Sequence, residues 1–219
     1  MNNRSRNRFF PILVDLQNIP CLVVGGGRVA LRKVNGLLAF GAKVTVVAPR
    51  ECASLTELLQ RRRIEIIRKA YSKEFIKGKK IVFSATSNRA TNRRVSCDCK
   101  RAGILVNVAD DPELCGFILP ANLIMGSLCI SISTQGKAPF YATEMKSRLA
   151  GSISPRTEQI LDLAADFRKA LLTRNGTVPA SAKTKAYRAF LSTDWESLLK
   201  LGGKKKSMEK MRAILDEIE

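Results

Sequence analysis

Four consecutive apolar residues, Cys21-Leu22-Val23-Val24, run directly into Gly25-Gly26-Gly27. From Val29 to Phe40 apolar side chains then recur at helical spacing, with Leu31, Val34, Leu37 and Leu38 on one face. A short unbroken apolar run is the signature of a strand buried on both faces, and such strands belong to parallel sheets covered by helices. The junction has the form GxGxxA. Glycines let a backbone approach a pyrophosphate, and the unpaired N–H groups opening a helix attract it. A lone string of this kind is weak evidence. Here it follows a strand, opens a helix and begins a βαβ unit, which is the context that gives it meaning. A glycine-rich turn without a ligand is the alternative.

The alternation continues. Lys43–Ala48 reads as a second strand, closed by Pro49, and Gly41 is placed to stop the helix before it. A helix begins near Leu55. Strands follow at Ile64–Ile67, Lys80–Ala85 and Ile104–Val108, with a helix over Asn88–Ala102 between the last two. The fold class is therefore α/β, a Rossmann-like and mostly parallel sheet. After Asp111-Pro112 the pattern changes. Residues 114–136 carry no charge, but Pro120, Asn122, Gly126 and alternating Ser131 and Ser133 make them a poor membrane span. They read as strands at Phe117–Leu119 and Leu128–Ile132. Ser154-Pro155 is a helix start, Ile160, Leu163, Phe167 and Leu171 form a stripe, and Asn175-Gly176 is a stop. Helices are expected over Tyr187–Leu201 and Ser207–Ile218, separated by Gly202–Lys206. The expected division is residues 1–112 as a dinucleotide-binding domain, 113–150 as a β connector carrying a cleft loop, and 151–219 as a helical tail.

Composition narrows the chemistry. None of the 219 residues is histidine, which excludes Ser-His-Asp and Cys-His catalysis and imidazole metal ligation. Proton transfer is left to Asp, Glu, Lys, Tyr and Cys. The six cysteines are scattered, with only Cys97 and Cys99 close in sequence, so no metal site is expected. The basic start breaks into polar residues too soon for a secretory leader, and reduced thiols in a cytoplasmic protein are expected. Lys plus Arg number 38 against 19 acidic residues, a formal charge of +19. Clusters at Arg61-Arg62-Arg63, Lys77–Lys80 and Lys204-Lys205-Lys206 would suit a nucleic-acid backbone. Aromatic residues make up 6% of the chain and are not interleaved with them, which argues against a base-stacking nucleic-acid binder.

Three strand ends carry candidate site residues, because open α/β sheets bind ligands at the carboxyl ends of their strands. The second strand ends Val47-Ala48-Pro49-Arg50, with no carboxylate for a ribose hydroxyl. Arg50 could meet a 2′-phosphate instead. Small polar residues at Ser84–Asn88, Thr86 among them, could lie along a dinucleotide. At Asn107–Pro112, Asp110 and Asp111 could supply a general base, since a like charge and burial both raise a carboxylate pKa. An ordinary turn with a capping aspartate is the equal alternative.

These residues together resemble the precorrin-2 dehydrogenase family, the part of siroheme synthase that in some members is also a sirohydrochlorin ferrochelatase. The matching segments are Pro11–Leu16, Cys21–Lys33, Ala85-Thr86 with Asn92–Ser96, Asn107–Pro120 and Ile132–Pro139. The resemblance spans roughly residues 8–150. It implies oxidation of the tetrapyrrole precorrin-2 to sirohydrochlorin with NAD⁺, in a homodimer with no membrane partner. It implies that Asp110 is the essential carboxylate, with Asp111 as the second choice. Cofactor contacts fall on Gly25, Gly26, Gly27, Arg28, Val29, Pro49, Arg50 and Thr86. Thr134 and Lys137 fall in the substrate cleft. Gln135 departs from the family, where glycine is usual. Iron insertion is implied for some members only, and 219 residues leave no room for the methyltransferase domain of longer relatives. The rival readings are a non-enzymatic NAD-binding module and the basic nucleic-acid binder.

Overall fold

The computed structural model describes residues 8–173 and 179–217. The chain divides into two compact units that meet between Leu119 and Pro120. The first holds five parallel strands in the order β3-β2-β1-β4-β5. They are β1 (Pro20–Val24), β2 (Lys43–Val47), β3 (Ile64–Ile67), β4 (Ile81–Ser84) and β5 (Leu105–Val108). Helices α1 (Arg28–Ala39), α2 (Ala53–Gln60) and α3 (Arg89–Arg101) lie between them. The strand order reverses between β1 and β4, where doubly wound sheets open a crevice. The α/β, Rossmann-like reading holds.

Both faces of β1 are covered. Cys21 and Val23 pack with Val34 and Leu37 of α1, while Leu22 and Val24 pack with Val95 and Cys99 of α3. Leu22 and Val23 are fully buried, each worth about 1.5–3 kcal/mol of transfer free energy. This is why the run shows no alternation. Asn88 caps α3, its side chain accepting the Thr91 amide at 2.9 Å.

The second unit begins with an antiparallel hairpin of β6 (Ala121–Met125) and β7 (Leu128–Ile132). The strand expected at Phe117–Leu119 does not form. Gly116 and Phe117 donate back to the Val106 carbonyl, and the Phe117 ring meets Phe83 edge-on at 5.4 Å. Those residues cover the first sheet, and pairing starts only after Pro120, which has no amide to give.

Four helices follow: α4 (Pro139–Ser152), α5 (Thr157–Thr173), α6 (Ala180–Ser192) and α7 (Trp195–Asp216). The sequence reading missed α4, although Pro139 at its first turn is a recognised start signal. Ser154-Pro155 precedes α5 by one turn. The Asn175-Gly176 stop lies outside the described residues, as does the Ile218 end. The expected helix over Tyr187–Leu201 is broken, because Asp194 caps α7 by accepting the Ser197 amide at 3.0 Å. The expected gap at Gly202–Lys206 is instead a kink at Gly203. The apolar stripe was read correctly: Leu163, Phe167 and Leu171 are buried against Phe190, Trp195, Met211 and Ile214. Trp195 Nε1 donates to the Phe190 carbonyl at 2.7 Å. Among the described residues, no helix is long and apolar enough to cross a membrane.

Candidate dinucleotide site at the carboxyl edge of the sheet

The three glycines do different work. Gly25 has φ +129°, and a Cβ there would collide with the Ala85 carbonyl after β4. A Cβ on Gly26 would collide with the Arg50 carbonyl after β2. Both are glycine because the fold leaves no room. The Gly26 carbonyl also accepts the Cys52 amide at 2.8 Å, and the Gly25 amide donates to Val47 at 2.9 Å, tying the turn to the end of β2. Gly27 is unlike them. Its backbone is extended and its Cβ direction meets nothing within 4 Å.

Gly27 is the N-cap of α1, so no side chain closes the helix end, and the first turn holds no acidic residue. Arg28 and Val29 are the first two residues of that helix. The result is an open cradle of amide groups with the positive end of a helix dipole behind it, which fits a pyrophosphate. Pro49 and Arg50 are exposed just beyond β2. The nearest carboxylate in sequence, Glu51, is already held: Arg68 Nε donates to it at 2.9 Å and Thr56 at 3.5 Å. Arg50 thus remains the exposed charged group beside that strand end.

Beyond β4 the turn is organised by a residue the sequence reading did not single out. Asn92 is buried, and its carbonyl oxygen accepts both the Ser84 and Thr86 hydroxyls at 2.8 Å. Its amide donates back to the Thr86 carbonyl at 3.0 Å. Thr86 is thereby fixed at the rim, next to the Gly25 approach. A small polar residue one turn into a helix after such a strand was the available signal.

Beyond β5, Asp110 is exposed and stands at φ +59°, in the left-handed region. Aspartate tolerates that conformation better than most residues. Asp111 precedes the 3₁₀ turn Pro112–Leu114, but its side chain makes no capping bond, contrary to the capping alternative. The loop is held by Cys115 instead. Its sulfur accepts the Val108 amide at 3.2 Å and contacts the Val108 and Asp111 carbonyls at 3.3 Å. Burial pushes the Cys115 thiol up, the Val108 amide opposing this. Asn107 braces the same loop by donating to the Phe117 carbonyl at 3.1 Å. Lys33 of α1, also overlooked, is half-buried with Nζ 5.4 Å from the centre of the Phe83 ring. Burial is the largest influence lowering its pKa, followed by the Arg32 charge, with Cys115 and Asp110 acting the other way.

The first unit therefore brings Gly25, Gly26, Gly27, Arg28, Val29, Pro49, Arg50, Thr86, Asp110 and Asp111 to one edge of one sheet, as the strand ends require. Thr134 and Lys137 belong to the second unit, in the turn between β7 and α4. Thr134 Oγ1 accepts the Ala138 amide at 3.0 Å, and the Lys137 amide donates to the Thr134 carbonyl at 3.0 Å. Gln135 sits at φ +54°, which explains why glycine suits that position.

The model of a family described as putative NAD(P)-binding matches residues 12–121, which hold every strand of this sheet. The chain belongs to that family. Its sequence is 38% identical over 161 residues to siroheme synthase of Methylococcus capsulatus, covering 74% of this chain and 34% of that one. It is 41% identical over 159 residues to siroheme synthase of a Psychrobacter species, covering 73% and 33%. The chain thus spans about a third of the length of the curated relatives it matches. Among solved structures it is similar to SirC, a precorrin-2 dehydrogenase, with a TM-score of 0.68 and 26% identity over 96% of this chain and 98% of that one. The resemblance read from the motifs is borne out, and the NAD(P) cofactor it implies with it.

Proposed function

We propose that this chain oxidises precorrin-2 to sirohydrochlorin with NAD⁺, in the cytoplasm. The reading is carried by the likeness to SirC along nearly the full length of both chains. The geometry supports it by setting Asp110 on the same sheet edge as the open glycine turn. When bound, NAD⁺ supplies the hydride acceptor, and the overall change is loss of one hydride and one proton from the reduced tetrapyrrole. The α1 amides and Gly27 hold the pyrophosphate, and Thr86, fixed by Asn92, lines the path along the dinucleotide. Asp110 takes the proton through its carboxylate. Asp111, Thr134 and Lys137 serve the substrate, Lys137 by attracting its carboxylates. In this reading residues 1–112 bind the cofactor, 113–150 connect and bear the cleft loop, and 151–219 form the helical tail. Purified protein mixed with NAD⁺ and precorrin-2 should show NADH absorbance rising together with the sirohydrochlorin spectrum. Absence of both under anaerobic conditions would favour the non-enzymatic NAD-binding module.

The same reading includes a homodimer. A two-stranded hairpin is marginal alone, and the second unit exposes Ile124, Phe140 (77% exposed) and Leu191 (80%). Light scattering should give about twice 24.2 kDa at micromolar concentration, and a particle of monomer mass would contradict it.

A further inference from the structure

In a parallel sheet every strand starts at the same edge, so residues just before the strands converge even when far apart in sequence. Here Lys43 pairs with Pro20, and the Lys80 amide donates to the Pro20 carbonyl at 3.0 Å. Arg63 immediately precedes Ile64, the partner of Val44. The order Arg63, Lys43, Pro20, Lys80 therefore runs across the edge opposite the glycine turn. All three cations are exposed. With strands about 4.8 Å apart, the row spans roughly 15 Å.

At its β4 end the row opens into a concavity of about 450 Å³ lined by Lys73, Lys77, Lys79 and Lys80, with Ala102 and Gly103 behind. Among the described residues, none of these lysines has a carboxylate within ion-pair distance. Lys79 is anchored by donating to Thr45 Oγ1 at 2.7 Å, and the Thr45 hydroxyl in turn donates to Glu65 at 3.2 Å. With the Lys79 ammonium taken up by Thr45, Lys73, Lys77 and Lys80 remain around the hollow, and with the cationic row they concentrate positive charge on this edge, which favours an anion. No aromatic side chain lines the hollow, so recognition of bases has no platform there, whereas recognition of a phosphate backbone needs none.

We propose that this amino edge binds an extended chain of phosphates, either the phosphodiester backbone of a nucleic acid or inorganic polyphosphate. The row seats successive charges from the lysine hollow across Lys43 to Arg63. The surface stands at the opposite end of the sheet from the dinucleotide turn and does not depend on the catalytic reading.

The test uses the full chain with a fluorescein-labelled 20-nucleotide single strand of mixed sequence and, separately, long-chain polyphosphate. Binding of either supports the proposal, and which one binds identifies the source of the phosphates. Lys73→Gln, Lys77→Gln and Lys80→Gln combined should weaken binding by about tenfold or more at low salt, and flatten the slope of log K against log salt by about 2 for the single strand. Lys43→Gln with Arg63→Gln should weaken it by a smaller factor, with NAD⁺ affinity kept in both variants as the check on folding. Lys204, Lys205 and Lys206 changed to Gln should leave binding unaltered. No binding of either probe, equal losses in that control, displacement of the probe by NAD⁺, or equally tight binding of polyglutamate would overturn the proposal.

Discussion

Asp110→Asn is expected to lower turnover of precorrin-2 by about two to four orders of magnitude, the usual range for a lost general base, with NAD⁺ affinity unchanged. Asparagine keeps the shape and the tolerance for positive φ, and cannot take the proton. The obvious alanine variant is a poorer probe. At φ +59° an alanine pays a left-handed penalty of about 1–2 kcal/mol, so Asp110→Ala mixes lost chemistry with a loosened loop. Asp111→Ala should cost far less in rate, since in this reading its carboxylate meets the substrate and takes no proton. Steady-state kinetics with the sirohydrochlorin spectrum as readout decide the matter. Near-normal turnover by Asp110→Asn would remove the base and leave positioning of substrate against the cofactor as the better account.

The second large effect concerns Gly27. Its extended backbone suits any residue and its Cβ direction is open, so Gly27→Asp should fold normally. The new carboxylate would face the pyrophosphate. Two like charges about 4 Å apart cost about 4 kcal/mol at the effective dielectric near a protein surface. Dissociation constants should accordingly rise by two orders of magnitude or more, measured by calorimetry. Gly25→Ala and Gly26→Ala should behave differently, losing stability before affinity, because each new methyl meets a backbone carbonyl. Unchanged NAD⁺ affinity in Gly27→Asp would remove the site from this turn.

How much was legible in advance follows from how local each signal is. The strand runs, the glycine turn, and Asp110 at the end of β5 were all readable, because burial on both faces and the strand-to-helix turn each leave a mark within a few residues. Asn92 was not, since its role lies in bonds to Ser84 and Thr86 that exist only once α3 folds back over β4. Lys33 and Cys115 were missed for the same reason: one lies against Phe83, the other threads a loop by sulfur contacts. In the second unit, α4 was lost because its stripe is weak and only Ala142 is buried.

The sequence by itself determined the α/β class, the place of the glycine turn between β1 and α1 and the exclusion of histidine chemistry, because these depend on residue type and short-range order. Only the tertiary structure decided which glycines the fold forces and which one it leaves facing open space. Gly25 and Gly26 are forced by backbones from β4 and β2 that pass within contact, whereas Gly27 faces open space. It likewise decided where the basic clusters meet. Arg61–Arg63, Lys43 and Lys77–Lys80 are scattered along the chain, and a parallel sheet collects them on one edge because all its strands begin there.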